Sequence, residues 1–482
     1  MRFRPLGKLA GPLWLLGLAA GPGCGRIKPA DDGMPDAAID VVDIGGADTG
    51  GTGDAGDGST GGFVLVGAPL IFAPTPHGFG VNAVLRTGEP AQLRARVRPE
   101  SGTAWTELGV PASPAVDIAQ WSIDGLSPGR RYVFELRAGD AVSATPLYTG
   151  DAMTAREPGT PFTFALFTDT HIPPRETLPL DVSIGAAGNS FQDDTLLAVA
   201  DDMAAAKPDF LLNVGDILDY HQFGFNNPPP DSSWSRRGYL GYRQLLRDTL
   251  GHAAHFPVLG NWDGESGCNT AEEINRSRSQ RMLYLPGPKP DTYPEGGSPN
   301  EDYYAFTWGD ALFVVLNVMT YTPTCHLLDF DPGRPDDWTL GAAQLSWLDE
   351  TLANAKSKWR FTFIHHTVGG AAGDYDNSAY GRGGGQAAHV GEQAVIHEML
   401  KRYGVQVFFY AHDHVFTDML VDGIHYMLPG SAGAPWKFTT SETGYTTYLP
   451  DSGYARVDVA ADRAQVDFVA MGGQVLSSYV LH

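Results

Sequence analysis

The run Phe162-Thr-Phe-Ala-Leu-Phe-Thr-Asp169-Thr-His171 decides the architecture. Aromatic and aliphatic residues dominate it as in a strand buried on both faces, and the chain then turns abruptly to an aspartate and a histidine. A polar end of this kind belongs at a sheet edge, where sites form in α/β proteins. Two side chains so costly to bury at one strand exit point to a metal ion.

The same event recurs four times downstream. Asp209-Phe-Leu-Leu-Asn-Val-Gly215-Asp216, Phe256-Pro-Val-Leu-Gly260-Asn261, Phe361-Thr-Phe-Ile-His365-His366 and Val407-Phe-Phe-Tyr-Ala-His412-Asp-His414 are each a short apolar run ending in Asp, Asn or His. Any one of them occurs by chance in many chains. Five in order predict five strand ends converging on one edge, an arrangement that packing alone does not explain.

Between these runs the pattern alternates strand with helix. The 3.6-residue period predicts helices over 193–207, 241–250, 344–356 and 392–402. Two hairpins interrupt the alternation, turning at Gly309-Asp310 and Asp422-Gly423, and the runs 455–459, 464–469 and 475–480 add edge strands. The fold class this predicts for residues 160–482 is α/β, two packed mixed sheets flanked by helices.

Residues 63–157 have a different character. Short alternating runs such as Ala91-Gln-Leu-Arg-Ala-Arg-Val-Arg and Tyr132-Val-Phe-Glu-Leu-Arg, broken by Gly and Pro, predict a small antiparallel sandwich. The stretch Leu126-Ser-Pro-Gly-Arg-Arg-Tyr132 resembles the turn and tyrosine before a late strand of fibronectin type III domains. No residue there has evident chemistry, so a spacer or a substrate-shaping module is expected.

The chain of 482 residues exceeds what one core usually supports. Its first 24 residues have a basic start, an apolar centre too short to span a bilayer and small residues before Cys24, the pattern of an export signal. Cys24 stands where a lipoprotein carries its acyl chain, although Gly21-Pro-Gly is a poor site for that processing, so membrane attachment through lipid and free secretion are both open. Residues 25–62 hold eight Asp against one Arg and one Lys among Gly, Ala and Thr, and predict a flexible tether. A net charge of −23 argues against nucleic-acid binding. Cys268 and Cys325, both in long loops, could pair in an oxidising compartment.

Taken together, Asp169-x-His171, Gly215-Asp216-x-x-Asp219, Gly260-Asn261, His365 and His412-x-His414 resemble the ordered motif set of the calcineurin-like metallophosphoesterases. The chain is similar, more narrowly, to the purple acid phosphatase branch, in which a fibronectin-like domain precedes the catalytic one. The resemblance covers residues 63–482. It implies one metal held by Asp169, His171 and His414, a second held by Asn261, His365 and His412, and Asp216 bridging them. It implies a hydroxide shared by the two metals attacking a phosphate ester in line. Imidazoles mixed with carboxylate and amide oxygens suit Fe, Zn or Mn.

Three departures from the family pattern bear on mechanism. Trp262 follows Asn261 where the family has a histidine that contacts phosphate or assists the leaving group, and it could form an apolar wall favouring larger esters. His366 and His221 are the candidates to take over that proton transfer. Asp219 stands where purple enzymes place a metal-bound tyrosine, so tyrosinate colour is not expected, although Tyr220 is adjacent. Ala411 replaces a glycine. A glycine-rich loop over 369–389 carries Arg382, which could fold over a phosphate.

The expected function is an exported two-metal hydrolase of phosphate monoesters or diesters, acting on a small-molecule or lipid substrate. The alternative class is a surface binding or scaffold protein with a retained metal site and weak catalysis. The presence of Asp216 and all six terminal candidates favours the enzyme.

Overall fold

The computed structural model describes residues 62–139, 145–173, 193–219, 233–267, 269–321, 339–366, 391–434, 437 and 445–482. Eight short strands come first: β1 (Val64–Leu65), β2 (Leu70–Thr75), β3 (Gly78–Thr87), β4 (Leu93–Pro99), β5 (Thr106–Glu107), β6 (Ile118–Ile123), β7 (Arg131–Ala138) and β8 (Tyr148–Met153). All pair antiparallel. In one sheet β3 is flanked by β1 and β2 on one side and β6 on the other, and the second sheet has the order β5-β4-β7-β8. Period-two alternation places Leu93, Ala95 and Val97 of β4 and Tyr132, Phe134 and Leu136 of β7 inside, while the intervening Arg and Glu face outward.

The second part runs β9 (Phe162–Phe167), α1 (Asp193–Ala206), β10 (Phe210–Asn213), α2 (Ser233–Leu245), β11 (Ala254–Pro257), α3 (Ala271–Tyr284), β12 (Tyr304–Trp308), β13 (Ala311–Val315), α4 (Gly341–Asn354) and β14 (Trp359–Phe363). It continues with α5 (Gly391–Arg402), β15 (Val407–Phe409), β16 (Phe416–Val421), β17 (Ile424–Pro429), β18 (Thr447–Leu449), β19 (Gly453–Val459), β20 (Ala464–Ala470) and β21 (Val475–Leu481). A six-stranded sheet has the order β11-β10-β9-β19-β20-β21, and a seven-stranded sheet the order β12-β13-β14-β15-β17-β16-β18.

The opening run of the sequence explains how the layers form. Phe162, Phe164 and Leu166 alternate toward the other sheet, where Phe164 meets Phe313 edge-on at 5.0 Å and Phe256 stacks on Phe306 at 4.0 Å. Ala165 and Phe167 face the opposite way, under Leu196, Val199, Tyr239 and Tyr284 of α1–α3. Leu348, Leu352, Ile396 and Leu400 of α4 and α5 cover the seven-stranded sheet in the same manner. Each such aromatic or aliphatic side chain contributes about 1.5–3 kcal/mol by leaving water.

Strands β9, β10 and β11 are parallel neighbours, and so are β14 and β15, so their polar exits share an edge within each sheet. Both hairpins turn where expected, with Trp308 opposite Ala311 and Val421 opposite Ile424. Three expectations are corrected. The helix placed over 241–250 begins at Ser233 and ends at Leu245, followed by a tighter turn over Arg247–Gly251. Helix α3 was not foreseen, because its buried face is Ser277, Arg281 and Tyr284 rather than aliphatic, although Thr270 and Glu273 form a capping box that marks its start. Strands β19 and β20 are no edge strands: β19 lies between β9 and β20, with Val457 opposite Phe164, and β20 lies between β19 and β21.

The sandwich is joined to the second part through buried polar groups. Fully buried Arg243 of α2 donates through Nη1 to Asn82 Oδ1 (2.8 Å) and Tyr284 O (3.0 Å), and through Nη2 to Asn82 O (2.5 Å). Tyr293 donates its hydroxyl to Pro74 O at 2.8 Å. Ordering so many partners at one seam ties the two parts together more closely than a spacer requires. The export segment, the tether, Cys24, Cys268 and Cys325 lie outside the described residues.

Candidate metal centre

The parallel ladders continue past the strand ends and carry the site with them. After β9 and β10, the Asp169 N–H donates to Gly215 O (3.0 Å) and the His171 N–H to Asp216 O (2.9 Å). To make these turns Asp169, His171, Asp216, His412 and His414 all adopt positive φ, between 46° and 80°, and they are half of the non-glycine residues that do so among those described. Left-handed backbone costs energy for such residues, and its concentration here marks a functional seam.

Two glycines make the close approach possible. A Cβ on Gly260 would lie 2.1 Å from Asp216 Oδ1 and 2.2 Å from Asp216 N. One on Gly215, at φ +99°, would lie 2.7 Å from His365 Nδ1. Gly260 therefore clears room for Asp216 of the neighbouring loop, and Gly215 for the His365 ring and the Gly260 backbone.

The structure brings together all seven side chains singled out as metal candidates. Asp169, His171, Asp216 and His414 form one buried group, and Asp216, His365 and His412 a second, so the Asp216 carboxylate belongs to both. In the first group His414 Nε2 is 3.4 Å from Asp169 Oδ1 and 3.3 Å from His171 Nε2, and His171 Nε2 is 3.5 Å from Asp216 Oδ2. In the second, His365 Nε2 is 3.2 Å from Asp216 Oδ2 and 3.1 Å from Asn261 Oδ1, which lies 2.9 Å from His412 Nδ1. A further surface group, His397, Glu398 and Asp422, has Lys401 Nζ 2.9 Å from Asp422, so a cation already occupies its acidic side.

Hydrogen bonding fixes which ring nitrogen faces inward. His365 Nδ1 lies 2.8 Å from Val214 O, an acceptor only, so Nδ1 donates there and Nε2 faces the Asp216 and Asn261 oxygens, bearing a proton when no metal ion is bound and offering a lone pair when one is. Lone pairs facing lone pairs repel unless a cation stands among them. Both Asp169 carboxylate oxygens are buried without a hydrogen-bond partner, an expensive state that coordination to a metal ion relieves. The donor set of carboxylates, imidazoles and one amide oxygen fits a divalent or trivalent transition metal.

Electrostatics supports the same conclusion. Burial works against charge on His365, but the Asp216 and Asp169 carboxylates outweigh it and hold its pKa up at about 9. Burial and the adjacent His414 pull His171 down to about 4, against the attraction of Asp216. Asp216 is kept at about 2, despite burial, by His365 and His171. The seam is a place where negative charge seeks a positive partner.

Around this core, Trp262 sets its ring edge-on to His171 at 5.0 Å, and its backbone N–H donates to Asp216 Oδ1 at 2.8 Å. His366 is buried with its ring 4.7 Å from that of His412. Asp219 is buried in the loop after Asp216 but outside both groups. His221 and Arg382 lie outside the described residues.

Two residues were not foreseen. Asp263 accepts from the Gly260 N–H (2.7 Å) and the Leu218 N–H (2.9 Å), and burial followed by repulsion from Asp216 raises its pKa to about 7. Its place two residues after Asn261 was the available signal. Lys437 donates to Ser431 Oγ (2.8 Å) and Ser452 Oγ (2.9 Å), anchoring a segment whose Ala432 and Ala434 N–H groups donate to Thr168 O and Asp169 O. A lone lysine so far along the chain gave no signal.

A model of the calcineurin-like phosphoesterase family matches residues 162–416. A solved structure described as that of PhoD is similar with a TM-score of 0.65 at 15% identity, covering 89% of this chain and 92% of that one. A dimetal phosphatase from Danio rerio matches at 15% identity with a TM-score of 0.41, covering 67% of this chain and 99% of that one. No curated protein matches. At 15% identity the PhoD structure speaks for the fold alone, whereas the family match spans more than half of the chain and contains every residue of the two groups. The chain therefore belongs to the calcineurin-like phosphoesterase family and is a metal-dependent phosphoric ester hydrolase.

Proposed function

We propose that this enzyme is an exported hydrolase of phosphate esters that works with two cations side by side, one among Asp169, His171 and His414 and one among Asn261, His365 and His412. The single observation that carries the reading is the position of Asp216, whose carboxylate is common to both groups. Bound there, Fe, Zn or Mn would supply Lewis acidity toward a phosphoryl oxygen and acidify water near neutral pH. The chain's own work is to hold seven donors in place before substrate arrives, so that little reorganisation accompanies the reaction.

Trp262 replaces a group able to give a proton by an apolar ring beside His171, which favours esters with a large second substituent over small monoesters. His366, buried beside His412, is the nearest described candidate to protonate the leaving oxygen, with His221 the other. Arg382 is assigned to the phosphate on its sequence position alone.

The N-terminal strands support a fibronectin type III-like module, in sheet order and in the Tyr132 hydroxyl, which accepts from the Ser127 N–H at 2.9 Å as in a tyrosine corner. That module preceding the metal domain is what favours the purple acid phosphatase branch. With Asp219 in the tyrosine's place, iron-loaded protein is expected to lack the tyrosinate absorption band. Export rests on the first 24 residues, with secretion or lipid attachment at Cys24 as its two outcomes. Among the described residues no helix is long and apolar enough to cross a membrane.

The test is hydrolysis of paired chromogenic phosphate monoesters and diesters after chelation and readdition of Zn, Mn or Fe. Metal-dependent turnover with diester preferred is expected, and Asp216→Asn is expected to lose on the order of a thousandfold in kcat/KM. Undiminished turnover in that variant would sink the two-cation mechanism.

A further inference from the structure

Behind Asn261 and Trp262 the chain makes a buried ion pair that neither the family match nor the donor set explains. Glu265, four residues after Asn261, is 1% exposed, and Arg281 in the last turn of α3 is fully buried. Arg281 Nε lies 2.6 Å from Glu265 Oε1 and Nη2 lies 3.3 Å from Oε2, a two-pronged contact. Arg278, one turn earlier, reaches Glu265 Oε2 at 3.1 Å. The remaining Arg281 donors go to Glu301 O (3.1 Å) and Asn300 O (2.6 Å).

Two charges withdrawn from water are a poor choice for stability alone, because a well-packed apolar pair of similar volume usually does as well. What the fork supplies is direction, since a planar guanidinium holds a carboxylate in one orientation. Here the carboxylate belongs to the loop 261–267, whose other anchors are Asp263 on the Gly260 and Leu218 amides and the Gly267 N–H on Met319 O (2.9 Å). Helix α3 is itself fixed at its end, where Asn82 Nδ2 donates to Leu283 O (3.1 Å) and the Tyr284 hydroxyl donates to Asp117 (3.0 Å), both partners coming from the sandwich. The loop is thus pulled against a helix that cannot move away.

We propose that the Arg281–Glu265 pair is a positioning device that sets Asn261 and Trp262 relative to His365 and His412, and so tunes metal affinity in that group more than in the other. This rests on the two-cation reading above. The outer partners of metal ligands commonly change metal affinity ten- to a hundredfold when lost, and Glu265 acts one step further out, through the loop backbone. The Asp169, His171 and His414 donors come from other segments, and the loop reaches that group only through Trp262, whose ring lies edge-on to His171 and whose backbone N–H donates to Asp216.

Stepwise metal titration of the chelated full chain by calorimetry, with Zn and separately Mn as probes, tests this. Wild type is expected to show two steps, and His412→Ala identifies which belongs to the Asn261 group. Replacing both charges together, Glu265→Met with Arg281→Met, is expected to weaken that step about tenfold or more and the other by clearly less. Should the double variant fail to fold, Arg278→Ala removes only the partly exposed partner and is expected to weaken the same step roughly two- to fivefold. Arg276→Ala, which breaks the surface pair with Glu272 on the same helix, is expected to change neither. Both steps unchanged in a variant with a lowered melting temperature, or both weakened alike, would overturn the proposal and leave the pair a packing element. Binding that saturates at one metal ion per chain in wild type would instead remove the two-cation reading itself.

Discussion

Two fully buried histidines are held in opposite states by the two faces of this enzyme. His365, at the seam where the strands exit, has its pKa raised to about 9 because Asp216 and Asp169 outweigh the effect of burial. His255, inside β11, has its pKa lowered to about 3 by burial and by nearby Arg243. His255 Nε2 accepts from the Tyr242 hydroxyl at 2.7 Å, so its ring is used as a neutral hydrogen-bonding group on the helix side of the sheet. The same side chain is a cation-seeking donor at one place and a packing element at the other. Burial is therefore not what makes the seam a site; a surplus of negative charge that cannot satisfy itself does.

The strongest way to break this contrast is to move Asp216 away from His365. Gly260→Ala would do so, since its Cβ would stand 2.1 Å from Asp216 Oδ1 against backbone that cannot yield cheaply. The expected cost is more than about 3 kcal/mol of stability. If the variant folds, a displacement near 1 Å at the seam is expected to lower kcat/KM about a hundredfold. Denaturant unfolding and steady-state kinetics measure the two, and wild-type values for both would show that the loops have freedom the close packing denies.

Cation removal sharpens the contrast from the other side. A metal present at a hundred times its dissociation constant stabilises the folded chain by about 2.7 kcal/mol per site. Chelation is expected to lower the melting temperature accordingly, with readdition of Zn or Mn restoring it. In Asp216→Asn the chelator's effect is expected to shrink, because the carboxylate common to both groups is gone. An unaltered melting curve in the wild type after complete metal removal would mean that the seam is stable as it stands.

The seam was legible in the sequence because each of its strands is a short, mainly apolar run ending in a group that resists burial. Asp169, Asp216, Asn261, His365 and His412 all announce themselves in this way. What lies behind them was less visible. Helix α3 buries Ser277, Arg281 and Tyr284, so hydrophobic periodicity had nothing to detect, and Glu265 reads as a loop residue until Arg281 is seen to hold it. The alternation in 453–459 identifies a strand but not its neighbours, and only the closed register, with Val459 opposite Phe162, shows that the chain returns to the centre of the sheet. Lys437 depends on contacts with Ser431 and Ser452 that no spacing rule predicts.

The core histidine offers an effect that is absent at neutral pH, and the cleanest sign. With a folded pKa of about 3 against an unfolded value near 6.5, His255 stays neutral in the folded chain while the unfolded chain takes up a proton as pH falls. Unfolding then binds one more proton than folding retains, so His255 lowers stability progressively from about pH 6.5 down to about pH 3, by roughly 1.4 kcal/mol per unit once well inside that window. Above about pH 6.5 both states are neutral at this residue and it contributes no slope. His255→Gln keeps an oxygen acceptor for the Tyr242 hydroxyl and cannot titrate, so unfolding free energies of wild type and variant, measured with metal at saturation, should run parallel above pH 7 and diverge below 6, the variant losing less. Parallel curves down to pH 4.5 would mean that His255 takes up its proton as readily in the folded chain as in the unfolded one, and that burial does not hold it neutral.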